Sequence, residues 1–351
     1  MQLSAYATGR DNNFNLIRCV AAFAVLYSHG YALALGGRGH EPWQHRIACT
    51  PGDVAVDVFF VTSGFLVTSS LLRLDNLAAY ARARALRIFP ALIVMSLLLT
   101  CVLGPLFTTR ALADYFGDGR TWEFLAKNAT TLFGAKFTLP GVFEHNPMPR
   151  TVNGSLWTLP AELRCYIALA LAWWMVKFAK GDASRNFARV VVIGTAALLA
   201  GFWWSRGIGL AHWPVFRLSW FFFCGAAFWV LRDRVPMRGW IAAVLACAVA
   251  IGVVFPSLFF VVYPPALAYL VLWCAYVPGG WLRAYNRVGD YSYGVYIYAF
   301  AAQQAVIATW PGIGVAGTFF AAGAITLALA MASWHWIEKP MLARKARVAT
   351  D

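Results

Sequence analysis

Ten long apolar runs leave this 351-residue chain few folds to choose from. They cover residues 14–35, 54–72, 88–107, 155–176, 190–205, 214–231, 239–255, 257–277, 292–309 and 313–336. A helix needs about 20 apolar residues to cross the hydrocarbon core of a bilayer. In that medium every backbone N–H and C=O must be satisfied inside the protein, so such runs fold as helices. The expected fold is an all-α polytopic transmembrane bundle of about ten spans, a single domain over residues 1–351. Composition agrees: 60% of residues are hydrophobic and 13% charged, where a soluble domain carries about 25% charged. Pro256 alone divides the seventh run from the eighth, which makes that boundary the least marked. Residues 1–13 are polar and lack the basic, apolar and small-residue order of a cleaved leader. The first span is therefore expected to stay as an anchor.

The net charge of +14 is read as a topology signal before a binding signal. With the N-terminus placed in the cytoplasm, 19 of the 29 Lys and Arg fall in cytoplasmic segments and eight outside; Arg164 and Arg217 lie within spans. The positive-inside rule then puts both termini in the cytoplasm. Arg217, three residues after Pro214, is expected to snorkel to the outer interface. Membrane lipid is an expected partner and nucleic acid is not. Six of the seven cysteines lie in spans, and neither CxxC nor HExxH occurs, so neither a disulfide framework nor a metal site is expected.

Ionisable groups inside spans are the informative residues, because each is costly in lipid and normally faces protein or water. Arg18 and His29 lie eleven positions apart in the first span. At about 100° and 1.5 Å per residue they point to one face, about 16 Å apart along the axis. The pair suggests a cleft entered from the Arg18 side; snorkelling by Arg18 and a helix–helix hydrogen bond from His29 are the bland alternative. Asp53 and Asp57 open the second span, where carboxylates complement the helix dipole, and Asp53 is read as such a helix-start residue. Ser63-Gly64 removes bulk in mid-helix, for a neighbouring backbone or a narrow ligand.

Arg84 and Arg87 share a helix face ahead of Pro90, with Arg82 close by. They serve either as an anchor on anionic lipid or as a clamp for a donor's phosphates. The long external segment 108–153 is rich in aromatics, Gly, Pro and Asn and suits a glycan or an interfacial segment, with 127–133 as a candidate surface helix. Asn153 or Ser155 is the expected N-cap of the fourth span. Glu162 lies about two turns in, and Arg164, about 200° around the helix, cannot pair with it, so Glu162 needs a partner elsewhere. Tyr291, Tyr293, Tyr296 and Tyr298 open the ninth span as an aromatic belt or a cleft lining.

Six stretches follow one another along essentially the whole chain: Arg18-x10-His29, Asp57-x-Phe59-Phe60-x-x-Ser63-Gly64-Phe65, Arg84-x-x-Arg87-Ile88-x-Pro90, Asn153 through Glu162, Ser292-Tyr293-Gly294-x-Tyr296 and Glu338-Lys339-Pro340. Together they resemble the acyltransferase-3 family of membrane acyltransferases. The resemblance implies a protein of the bacterial plasma (inner) membrane that moves an acyl group, most often acetyl from acetyl-CoA, onto a hydroxyl. The acceptor it implies is an envelope or exported glycan, or a lipid-linked one. It implies an essential His29 and a role for Arg18; placement in the spans then makes His29 a general base or transient acyl acceptor, with Glu162 as the second catalytic group. Arg18, Arg82, Arg84, Arg87 and Ser63 then bind the donor, and Asn153, Trp157, Tyr293 and Tyr296 the acceptor. Relatives often carry a histidine in the late span where this chain has Ala299, which argues against a mechanism that needs two. No esterase-like extension follows the last span, so a stand-alone form is expected. The rival reading is a transporter or flippase using His29 and Glu162 as a proton relay.

Overall fold

The computed structural model describes residues 1–9, 11–131, 134–209 and 213–346. Each of the ten predicted runs is a helix: α1 (Phe14–Leu35), α2 (Pro51–Leu74), α3 (Leu77–Leu98), α4 (Leu159–Val176), α5 (Ala183–Gly207), α6 (Trp213–Val230), α7 (Gly239–Val254), α8 (Pro256–Tyr276), α9 (Ser292–Thr309) and α10 (Gly314–Ser333). Among the described residues there are no strands, only two isolated bridges. Among the described residues seven helices are long and apolar enough to cross a membrane, and α6 and α7 are shorter but apolar. α9 is buried along nearly its whole length.

Local chemistry sets the helix starts. Thr50 Oγ1 accepts from the Asp53 N–H and Asp53 Oδ2 from the Thr50 N–H, each at 3.0 Å. This reciprocal box caps α2 and confirms the helix-start reading of Asp53. Asn153 Oδ1 accepts from the Ser155 N–H at 3.2 Å and opens a 3-10 turn, Gly154–Thr158, that feeds α4. Phe255 alone links α7 to α8, whose first residue is Pro256, where the missing N–H costs nothing. Pro90, expected at the entry of a span, lies inside α3 instead. Arg82, Arg84 and Arg87 therefore ride on the same rigid helix as the apolar segment.

The chain divides into two compact units. Unit 1 comprises Met1–Arg18, Val54–Tyr80 and Ala161–Val288; unit 2 comprises Cys19–Asp53, Ala81–Pro160 and Gly289–Asp351. In unit 1, α2 and α6 meet through two glycines. A Cβ on Gly64 would stand 1.8 Å from the Phe222 carbonyl oxygen, and one on Gly225 would stand 2.1 Å from that of Val61. The gap at Ser63-Gly64 is thus filled by a neighbouring backbone, the use small residues most often have in membranes. In unit 2, Gly294 of α9 admits Ala330 of α10, whose Cα a Cβ would approach to 2.7 Å.

The long segment 108–153 is folded within unit 2. It carries the helices Leu112–Gly117 and Gly119–Thr130, and Tyr115 is fully buried with its hydroxyl donating to the Thr100 carbonyl at 2.8 Å. Of the expected surface helix at 127–133, Lys127 lies on Gly119–Thr130, while Leu132 and Phe133 lie outside the described residues.

Candidate active site

α1 is unbroken through Arg18 and His29, so their eleven-residue spacing holds; Arg18 closes unit 1 and His29 belongs to unit 2. The His29 Nδ1 is buried and has no hydrogen-bond partner among the described residues. What orients the ring is an edge-on contact with Phe300 of α9, at 5.2 Å between centroids and 74° between planes. Phe300 is itself held against Gly154, where a Cβ would come within 2.7 Å of the phenyl ring. The Asn153-Gly154-Ser155 turn thus reaches His29 through one aromatic side chain.

Beside His29, Ser28 is fully buried and donates its hydroxyl to Glu41. Glu41 accepts from Arg38 Nε at 3.2 Å, and Arg38 Nη2 bridges on to Asp53, also at 3.2 Å. Burial pushes the Glu41 carboxyl above its usual range, opposed by the Ser28 hydroxyl and the Arg38 charge.

Four of the recognised stretches converge elsewhere in unit 2. Arg87 of α3 donates to Asp290 at 2.5 Å and to Glu338 at 3.1 Å, and its guanidinium lies 5.6 Å from the Tyr293 ring centroid. Ser292 Oγ donates to Asp290 at 2.5 Å and Ser333 Oγ to Glu338 at 3.0 Å. The Tyr293 hydroxyl donates to the Ile88 carbonyl at 2.9 Å. Tyr296 donates to the Ser155 carbonyl at 2.7 Å and shares a hydrogen bond with Thr158 at 2.5 Å. Asn153 Nδ2 donates to the Ile297 carbonyl at 2.8 Å. Arg84 is half-buried, Arg82 is exposed, and Trp157 is 39% exposed.

In unit 1, Glu162 Oε1 accepts from Ser63 Oγ at 2.9 Å and from the Tyr166 hydroxyl, and Ser63 and Tyr166 are themselves 2.9 Å apart. Arg18 lies 5.9 Å from the Phe59 ring centroid. The same unit corrects one expectation. Arg217 is only 5% exposed and does not snorkel: its Nη2 and Nε donate to Asp57 Oδ2 at 2.5 and 3.1 Å. Tyr263 donates to the same oxygen at 2.6 Å. A carboxylate on a neighbouring helix outbids the interface, because a guanidinium satisfied inside the protein need not reach for water.

Comparison with known proteins decides the class. The family profile described as an acyltransferase domain, that of the acyltransferase-3 family, matches residues 11–335. The chain belongs to the acyltransferase-3 family. An O-acetyl transferase of Shigella phage Sf6 is 30% identical over 348 residues, covering 96% of this chain and 98% of the relative. Nodulation protein 10 of Rhizobium leguminosarum bv. viciae is 30% identical over 371 residues, covering 96% and 95%. No solved structure matches.

This membrane acyltransferase therefore carries the family's stretches in two settings: a largely satisfied polar network, in which the Ser155 hydroxyl is buried without a partner among the described residues, and an imidazole whose Nδ1 is buried without one. Among the described residues no cluster of His, Cys, Asp and Glu is arranged to hold a metal ion. Phe300, Asp290, Tyr166, Arg38 and Glu41 were not singled out from sequence. Asp290 carried a signal, flanking the recognised stretch that starts at Ser292; Phe300 and Glu41 carried none, since only tertiary placement brings them to His29 and Ser28.

Proposed function

We propose that this acyltransferase moves an acyl group, acetyl by default, from acyl-CoA to a hydroxyl of a cell-envelope or exported glycan, with His29 as the reacting group. One observation carries the reading. The His29 Nδ1 is buried without a partner among the described residues, while Asn153, Tyr293, Tyr296, Arg87 and Glu162 are all engaged within the protein. Leaving a buried polar atom unpaired costs about 1–3 kcal/mol, a cost that a substrate hydroxyl would relieve. The name of the phage relative supports acetyl transfer to oxygen.

In the proposed reaction neutral His29 takes the acceptor's hydroxyl proton while that oxygen attacks the thioester carbonyl. The C–O bond forms, the C–S bond breaks, and the imidazolium returns its proton to the leaving thiolate. A route through acyl-His29 uses the same ring, the acyl carbon bonding first to nitrogen and then to the sugar oxygen. The donor arrives from the basic, cytoplasmic side. Arg82 and Arg84 meet its phosphates, and Arg18, about 16 Å from His29 along the helix, meets the pantetheine end. Arg87 acts as a positioning residue, since its guanidinium is committed to Asp290 and Glu338. Glu162, held by Ser63 and Tyr166, is the second catalytic carboxylate. Of the acceptor-binding set, Trp157 offers an exposed ring for stacking on a sugar, while Asn153, Tyr293 and Tyr296 shape the wall.

The test gives purified wild type and His29→Ala labelled acetyl-CoA and a glycan acceptor. Label entering glycan with wild type alone supports the reading. Transfer by His29→Ala at the wild-type rate removes His29 from the chemistry.

A further inference from the structure

The arginine-rich end of unit 1 holds a groove of about 570 Å³, within the roughly 300–1,000 Å³ range of ligand sites, that the proposed reaction does not use. It lies between the start of α5 and the end of α6, two antiparallel helices tied by Thr195 Oγ1 donating to the Phe223 carbonyl at 3.0 Å. α5 contributes Arg185, Arg189 and Ile193 to the groove. Spaced at i, i+4 and i+8, they form one stripe that advances about 6 Å per step. Val230, Asp233 and Arg234 form the opposite wall. Three guanidiniums and one carboxylate leave the mouth with a net positive charge.

Among the described residues none of the three arginines is in an ion pair, and neither is Asp233. Neighbouring Arg232 differs: it lies 4.7 Å from the Trp229 ring centroid and donates to the Trp229 carbonyl at 3.0 Å. Further along α5 the stripe turns apolar, and Ile193 is 67% exposed on a helix long and apolar enough to cross a membrane. The groove is thus cationic at its mouth and greasy along its floor, with that floor open sideways to acyl chains.

We infer that this groove binds an anionic phospholipid of the adjoining leaflet. Its phosphate sits among Arg185, Arg189 and Arg234, and its first methylenes lie along Ile193 and Val230. Arginine suits the task, because its planar fork of donors grips phosphate oxygens in pairs. A general excess of basic residues at the membrane surface needs neither a concavity nor convergence of arginines from two helices. A soluble phosphate would leave the apolar floor unused.

The experiment is native mass spectrometry of the full-length protein in detergent, titrated with phosphatidylglycerol, phosphatidylethanolamine or coenzyme A. Wild type is expected to retain phosphatidylglycerol at least about ten-fold more tightly than phosphatidylethanolamine. R185Q/R189Q/R234Q should lose that preference, and R232Q should keep it. Ile193→Trp, which fills the floor and leaves every charge in place, should also weaken phosphatidylglycerol retention. Equal retention by wild type and the triple variant overturns the inference, as does an equal loss on R232Q. Displacement of the lipid by coenzyme A, with Ile193→Trp silent, identifies a soluble-phosphate site instead and also overturns it. Because none of these residues belongs to the proposed chemistry, His29-dependent transfer reports separately on that reading.

Discussion

Asp57 in unit 1 and His29 in unit 2 are both ionisable side chains on membrane helices, and the fold treats them in opposite ways. Asp57 is fully buried, and one of its oxygens receives both the Arg217 guanidinium and the Tyr263 hydroxyl. His29 has its Nδ1 buried with nothing to bond among the described residues, and an aromatic edge for a neighbour. By sequence the two carry the same warrant, since any charge-bearing group in a span is a functional candidate. The difference shows how to separate them. Where the protein supplies the counter-group, the residue is part of the architecture. Where it supplies none, the cost persists in the resting fold until a substrate relieves it.

The largest expected effect is on transfer. His29→Ala should lower kcat by about 10²–10⁴-fold, the usual contribution of a general base, and leave thermal unfolding in detergent close to wild type. A variant that loses stability as heavily as activity would break the comparison, because His29 would then be holding helices together. Next in size is Arg217→Ala. It strands the Asp57 carboxylate in a buried setting and should cost about 3–5 kcal/mol of stability, read as a lowered unfolding midpoint. The double change Asp57→Leu/Arg217→Met removes both charges and should recover most of that loss. If the double variant is as unstable as the single one, the pair is more than a charge match.

A smaller effect sharpens the other arm. Phe300→Ala deletes the contact that aims the His29 ring, and aromatic contacts of this kind are worth about 0.5–1.5 kcal/mol. kcat should fall by about two- to ten-fold with KM nearly unchanged. Phe300→Trp should restore part of it only if the enlarged ring still clears Gly154. A fall in affinity for the donor instead of kcat would place Phe300 in the binding of substrate.

Much of this was legible in the sequence, and the boundary is physical. Ten helices follow from run length alone, and the helix-start role of Asp53 from its place at the head of the second run, because both are local. The partners were not local. Glu162 lies 99 residues from Ser63, and Arg87 meets groups 203 and 251 positions away. Arg217 illustrates the consequence: near a helix end, snorkelling and internal pairing look alike until the neighbouring helix is known to carry Asp57. The two-unit division was equally invisible, since α1, α2, α3 and α4 each run from one unit into the other without a break in pattern.

The smallest effect concerns Glu41, which falls between the two extremes. Only 4% exposed, it accepts from Ser28 and Arg38, yet burial still raises its carboxyl above the ordinary value of 4.5. The folded state then holds this proton more tightly than the unfolded chain does. Its contribution to stability is fully present below pH 4.5 and is lost as pH rises through the raised folded value. Glu123 runs the other way. Half-exposed, and paired with Lys136 and Lys127, it is pulled down to about 2. Its contribution is present above 4.5 and is lost as pH falls toward that value. Unfolding midpoints measured from pH 3 to 7 should therefore respond in opposite senses: Glu41→Gln should remove a decline toward neutral pH, and Glu123→Gln a decline toward acid. If Glu41→Gln instead removed an acid-side loss, Arg38 and Ser28 would have satisfied that carboxylate as fully as Arg217 and Tyr263 engage Asp57. Glu41 would then belong with the architecture rather than with the groups left wanting beside His29.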